Sequence, residues 1–449
     1  MAALSAVSSQ AATPPFRHRG YLGWITDLDS RPDTNAVWPS MRLDEKLVDE
    51  YRETFRLMRL LGYNNAVIWG LYVSRYWPKD LASAVTPERG KLVQQIVDSA
   101  HSQGIRVVCG LGVFSWGYET LIREFPTLSR TNPKAMCASN PEAWRWMEKI
   151  TDFVMTRFPI DGVSMQSADL GRCSCQECSR YGDAEYHARI NIREADYIHT
   201  RWPGKIVAVS GWGMKFEDPA SRPFLLQMGE KLDYIIDVVD STRDQGNEFQ
   251  RAIIRDLKCD FGTIGGPLVE PPQHWARDRW FLPTARNQGE HLKELAANGG
   301  KAMEYFFHIR ANPGDEVSFW VTGKVLNDVE TPWQQHLRNT LEQLYGVKRR
   351  TTLDALADLF VRSEDAYMSR IKPFFSGDIS MEPLVSSSPG PPIYLTKRLS
   401  AEGRKGYATD LAKIGAEFRK LQADVPNRTK IITILRCLDN VQKDLAAIV

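Results

Sequence analysis

From Gly20 to about Lys324, short apolar runs alternate with longer amphipathic stretches. The runs are Tyr21–Ile25, Ala66–Trp69, Arg106–Gly112, Gly162–Gln166, Ile206–Ser210, Tyr234–Val239, Phe261–Gly265 and Ala302–His308. They are rich in Val, Ile, Tyr or Phe and bounded by Gly, Asp, Ser or Pro, which is the texture of parallel strands buried on both faces. Between them, apolar residues recur at helical spacing, as at Leu47, Val48, Tyr51, Phe55, Met58 and Leu61 within Leu43–Leu61. Glu88–Ser102, Glu142–Arg157, Glu185–Arg201, Asn247–Leu257 and Arg286–Asn298 carry the same period. Eight strand–helix units in about 300 residues predict an α/β fold, a closed (β/α)8 TIM barrel over residues 20–330.

Past the barrel the alternation stops. Thr331–Val347, Leu353–Lys372 and Lys397–Val449 keep only the helical period, with a Pro/Ser/Gly-rich connection at Ser376–Tyr394, so residues 331–449 are expected to form a C-terminal all-α region. Its first helix is expected to start with Thr331 as N-cap and Pro332 at the first helical position. With 449 residues, 43% of them hydrophobic, the chain can bury a large core and an appendage. Its 57 basic and 55 acidic side chains leave a net charge of +2, which gives no electrostatic footprint for nucleic acid or a membrane surface. No apolar run approaches the roughly 18 residues of a membrane span. Residues 1–19 read as a signal remnant or a disordered N-terminus, since small residues precede Thr13-Pro14-Pro15 but a basic start is missing. The first of these implies a periplasmic or secreted protein.

In a TIM barrel the chemistry sits on the loops that follow the strands. Those positions hold Asp27 and Asp29 after strand one, Tyr72 and Arg75 after strand two, and Trp116 and Tyr118 after strand three. Strand four leads to Gln166, Asp169 and Arg172, strand five to Trp212 and Lys215, and strand six to Asp237, Asp240 and Arg243. Glu270, His274 and Trp275 follow strand seven; Glu304, His308, Arg310 and Asn312 belong to strand eight and its loop. Carboxylates among Trp, Tyr and Arg suit glycosidic chemistry, in which one carboxyl protonates the leaving oxygen, a second attacks or activates water, and aromatic faces stack on the sugar. Strand parity turns Met303 and Tyr305 toward the helices and Glu304, Phe306 and His308 inward; in strand four it turns Val163 and Met165 outward and Gln166 inward. Asp169 then falls on the rim as the candidate general acid or acid/base. Glu304, Asp27 or Glu270 is the candidate base or nucleophile. Gln166, Trp212, Arg243, Glu270, His308, Arg310, Trp116 and Arg75 are the candidate substrate contacts. Arg75, Arg172, Arg243 and Arg310 either recognise an acidic sugar or neutralise the rim carboxylates. Asp161 precedes strand four and is read as a turn or cap residue on the opposite end.

Cys173, Cys175 and Cys178 cluster just past Asp169. They suit a structural metal such as zinc completed by Cys137 or His187, a disulfide that pins the loop, or free thiols. Catalysis itself needs no cofactor in this reading.

The segment Asp161-Gly-Val-Ser-Met-Gln-Ser-Ala-Asp169, followed by Gly171-Arg-Cys-Ser-Cys-Gln-Glu-Cys178, resembles the fourth-strand region of (β/α)8 glycoside hydrolases. The likeness is to the α-glucuronidase and β-hexosaminidase-like barrels, and Met136-Cys-Ala-Ser-Asn-Pro-Glu-Ala143 resembles the approach to the preceding helix in that group. A weaker resemblance, carried by Asp27 at the end of strand one, is to barrel sialidases. The hexosaminidases resembled carry an adjacent Asp-Glu pair after strand four where this chain reads Gln166-Ser-Ala-Asp169, so substrate-assisted hydrolysis of an N-acetyl sugar is not implied. The resemblance implies a glycosidase with a carbohydrate substrate, a uronide or sialoside among the candidates. The rival readings are a non-catalytic carbohydrate-binding barrel and a barrel lyase or isomerase.

Overall fold

A computed structural model of the chain describes residues 14–25, 43–73, 76–211, 214, 218–237, 248, 251–265, 280–306, 313–370 and 401–446. Eight parallel strands close into a barrel in chain order, and β8 returns to β1. They are β1 (His18–Trp24), β2 (Asn65–Trp69), β3 (Arg106–Gly112), β4 (Gly162–Gln166), β5 (Ile206–Ser210), β6 (Tyr234–Asp237), β7 (Asp260–Gly265) and β8 (Ala302–Phe306). The helices packed around them include α1 (Glu45–Leu60), α2 (Pro87–Ser102), α3 (Glu119–Glu124), α4 (Pro141–Arg157), α5 (Asp183–Arg201), α6 (Arg222–Gly229), α7 (Ala285–Ala297) and α8 (Pro313–Asn327). Beyond the barrel come α9 (Trp333–Tyr345), α10 (Arg350–Arg370), α11 (Ala401–Leu421) and α12 (Arg428–Ala446). No described helix is long and apolar enough to cross a membrane.

Caps set where the helices begin. The Asp44 carboxylate accepts from the Leu47 N–H at 2.9 Å, the Thr86 hydroxyl from Arg89 at 3.2 Å, and the Asn140 carboxamide from Glu142 at 2.9 Å. Pro87 and Pro141 occupy first helical positions, where a missing N–H costs nothing. Thr331 does not cap α9. Its N–H and hydroxyl both donate to Asp328, at 3.2 and 2.7 Å, and the helix starts at Trp333. The nearby carboxylate is the stronger acceptor and turns the chain one step earlier.

β1 begins at His18, three residues before the apolar run, because His18 and Arg19 already pair with Ala302 and Met303 of β8. Polarity hid them from the pattern. The His18 ring lies tilted over that of Tyr234, centroids 4.3 Å apart, and its Nε2 is 3.3 Å from the Asp260 carboxylate.

Parity divides the buried residues into two cores. Leu22, Val67, Val108, Ile206, Ala208, Tyr234, Ile236, Ile264, Ala302 and Phe306 fill the barrel. Met303, Tyr305, Val163 and Met165 join the larger core between strands and helices, as alternation requires.

At the N-terminal end of the barrel, Asn64, Asp161 and Asp233 stand immediately before β2, β4 and β6. Their backbone N–H groups donate to the carbonyls of Arg19, Val107 and Val207 in the preceding strands. Their side-chain oxygens accept from the N–H of those same three residues, at 2.9, 2.7 and 2.7 Å. Asp161 is therefore a strand brace, also 2.8 Å from His101 Nε2, at the end of the barrel opposite the strand C-termini. Lys301 stands at the same point before β8 and donates to the Phe261 carbonyl at 2.8 Å.

The C-terminal helices share the outer core. Phe281 meets Phe360 of α10 and Phe418 of α11 edge-on, at 5.1 and 5.7 Å. The buried Glu364 carboxyl of α10 accepts from the N–H groups of Arg286 and Asn287, at 3.0 and 2.6 Å, and so caps the first turn of α7.

Candidate active site

The strand C-termini carry an aromatic platform. Trp24 ends β1 and Trp69 ends β2; parity points both inward, and their rings stack 5.1 Å apart at an interplanar angle of 15°. Trp116, from the loop after β3, meets them edge-on at 5.7 and 4.9 Å. Phe306 of β8 lies 6.5 Å from Trp24. Trp24 and Trp116 keep part of their surface in solvent, while Trp69 is buried. Trp116 was expected from the sequence. Trp24 and Trp69 were not singled out, although the parity that placed Phe306 inward also places them.

Glycine makes room for this platform. A Cβ on Gly110 would fall 2.1 Å from a Trp69 ring atom, and one on Gly112 would fall 2.2 Å from the Trp116 carbonyl oxygen. The loop after β3 is strained, since Phe114 and Trp116 hold φ angles of 63° and 69° without being glycine. Each such residue costs about 1–3 kcal/mol and persists only where its surroundings fix it. Here the Phe114 carbonyl accepts from Met136 at 2.8 Å, the Ser115 hydroxyl from the Leu170 N–H at 3.0 Å, and the Gly117 carbonyl from Trp77 at 2.9 Å.

The loop after β4 carries Asp169, half-buried. Gln166 shapes it, because its side-chain oxygen accepts from the N–H groups of Ala168 and Asp169 at 2.8 and 3.1 Å. The Ser167 hydroxyl is held by His187 Nδ1 at 3.1 Å and receives the Asn191 amide at 3.0 Å. Burial brings His187 down to about 4, so the imidazole is neutral at physiological pH and serves as a loop brace. Arg172 is committed within the same segment: it donates to Asp183 at 2.6 Å and to the carbonyls of Cys178 and Tyr181 at 2.8 and 2.9 Å. Tyr72 and Tyr118 are buried and donate to the carbonyls of Val154 and Gly112.

Glu304 lies inside the barrel, beside Gly20 and one interior position below Phe306. Its carboxyl accepts from the Tyr234 hydroxyl at 3.1 Å. Burial pushes it up to about 7 against that bond. Of the remaining expected site residues, Asp27, Arg75, Trp212, Arg243, Glu270, His308 and Arg310 lie outside the described residues.

Cys173, Cys175 and Cys178 meet Cys137, from the segment before α4, in a buried cluster of four sulfurs all within 4.8 Å of one another. His187 is engaged elsewhere, so Cys137 supplies the fourth thiol. Cys109 and Cys437 are buried in the outer core, and Cys259, just before β7, is half-buried.

Three solved glycoside hydrolases share this architecture. A GH138 enzyme targeting pectin rhamnogalacturonan II superposes over 96% of this chain and 57% of its own, with a TM-score of 0.63 and 10% identity. The chain shares the (β/α)8 barrel fold of that enzyme. A mutant of the Thermobaculum terrenum O-GlcNAc hydrolase matches over 91% of this chain and 77% of its own (TM-score 0.51, 13% identity). CpGH84B matches over 96% and 67% (TM-score 0.51, 9% identity). The chain thus spans little more than half the length of the GH138 enzyme. By sequence, no family profile and no curated protein matches it. At these identities the likeness establishes the fold, and activity has to be argued from the site.

Proposed function

We propose that the protein is a glycoside hydrolase that cleaves its substrate at the C-terminal mouth of the barrel, with Asp169 as general acid or acid/base. What supports this reading is a rim carboxylate on a braced loop that is tied, through Leu170 and Ser115, to the loop bearing Trp116, which meets the stacked Trp24 and Trp69. Indole faces present a flat apolar surface to sugar C–H groups, and the carboxyl protonates the departing oxygen. The partner carboxylate is Glu304, Asp27 or Glu270. Glu304 is able to hold a proton near neutral pH; Asp27 and Glu270 come shortly after β1 and β7 in the chain. The reading gives the cysteine cluster no part in bond cleavage.

A uronide or sialoside is the proposed substrate class, supported by Arg75, Arg243 and Arg310, since guanidinium forks match a sugar carboxylate. Arg172 drops out of that set because its donors are spent on its own loop.

The test is a panel of chromogenic uronides, sialosides and hexosaminides with the native protein and Asp169→Asn. Turnover of at least one glycoside, lowered about 10²–10⁴-fold in kcat by the substitution, is expected. Undiminished turnover by the variant removes Asp169 from the reaction. Glycan binding without turnover on any member makes the protein a carbohydrate-binding barrel.

A further inference from the structure

We infer that Cys137, Cys173, Cys175 and Cys178 form a tetrathiolate zinc site that staples the loop after β3 to the loop after β4. In a tetrahedral zinc–thiolate centre the Zn–S bonds of about 2.3 Å set neighbouring sulfurs about 3.8 Å apart. The Cys137 sulfur lies 3.7 Å from that of Cys175 and 3.8 Å from that of Cys178, and all four sulfurs fall within 4.8 Å of one another. Two disulfides would draw the sulfurs into two bonded pairs near 2.05 Å. The Cys137 sulfur instead stands at near-equal, non-bonded distances from two others, and none of the four cysteines is in a disulfide, as suits ligands around a shared centre.

The surroundings suit the charge. Four thiolates around Zn²⁺ leave a net charge of −2, which needs donors nearby. The Ser139 hydroxyl lies 3.0 Å from the Cys137 sulfur and 3.6 Å from that of Cys175, and the Thr131 hydroxyl donates to Cys173 at 3.4 Å. The Arg172 guanidinium, bonded to the Cys178 carbonyl, adds a positive charge at the edge of the cluster. All four cysteines are buried, so solvent has little access to the centre, as in structural zinc sites and unlike catalytic ones, which keep a position open.

The staple joins two segments that are far apart in the chain. Cys137 follows the strained loop that bears Phe114 and Trp116, and Cys173 comes shortly after Asp169. Asn132 reinforces the junction by donating to the Leu170 carbonyl at 3.0 Å, and Thr131 accepts from the Ser174 N–H at 2.7 Å. The ion thereby positions two parts of the mouth relative to each other without touching substrate.

The experiment is metal analysis of the full chain prepared under reducing conditions with zinc present, followed by replacement of zinc with cobalt. One zinc per chain is expected, with the sulfur-to-metal charge-transfer and intense d–d absorption of tetrahedral cobalt thiolate. Cys137→Ser should lose at least nine tenths of the metal, whereas Cys437→Ser should keep all of it. Chelation should release four thiols to alkylation and raise amide exchange in residues 113–140 and 167–182 together. Reduced protein that takes up no zinc, or a disulfide among these four cysteines that persists under those conditions, overturns the site. Should Cys137→Ser fail to fold, the cobalt spectrum of the native chain decides alone. None of these readouts depends on glycosidase activity.

Discussion

Burying Glu304 inside the barrel strips its carboxylate of water, and the Tyr234 hydroxyl returns one hydrogen bond. The proton is therefore held up to about 7, above the 4.5 of an ordinary glutamate. As pH rises the unfolded chain releases this proton first, so the group's contribution to stability is complete below about 4.5 and is lost as pH climbs through about 7. The full effect is about 3 kcal/mol. Glu304→Gln keeps the shape and removes the titration, so its stability relative to the native protein should rise between pH 5 and pH 8, read from urea midpoints at each pH. Parallel curves for the two proteins would refute this. At this scale alternation along a strand was enough to send Glu304 and Gln166 inward. What they bond to was not readable, because Tyr234 is brought to Glu304 by barrel closure, and Gln166 spends its carbonyl on the backbone of its own turn.

Among the elements, β3 shows most clearly how sequence positions the mouth. Its glycines would ordinarily weaken a strand. Gly110 instead lets the Trp69 indole lie across the barrel, where a methyl group would collide with the ring. Gly110→Ala should thus cost about 1–3 kcal/mol by overpacking and alter the near-ultraviolet circular dichroism of the tryptophan cluster. An unchanged spectrum together with an unchanged denaturation midpoint would show that the indole is not packed there. The hydrophobic period revealed all eight strands, because each is buried on both faces and leaves a continuous apolar run. It missed the start of β1 because His18 and Arg19 are polar and are recruited by pairing with β8. The left-handed backbone at Phe114 and Trp116 left no trace in composition; contacts with Met136, Leu170 and Trp77 impose it.

Across the whole molecule, the C-terminal helices complete the barrel's outer core. Phe281 is closed over by α10 and α11, and Glu364 caps α7 from outside the barrel. The loss of the strand–helix rhythm pointed to a helical region, but its docking contacts pair residues too far apart in sequence for any local pattern to show. The residues that enter the even strands suggest a different division of the fold. Asn64, Asp161 and Asp233 lock β1 to β2, β3 to β4 and β5 to β6 with a side-chain acceptor as well as a backbone bond, while Lys301 offers β7 only the backbone bond. The barrel is then a fourfold assembly of two-strand quarters with one soft seam. Native-state hydrogen exchange should find the Phe261 amide opening before those of Arg19, Val107 and Val207, and equal protection at all four would erase the seam. If it is there, the barrel comes apart first beside Glu304, between its last two strands.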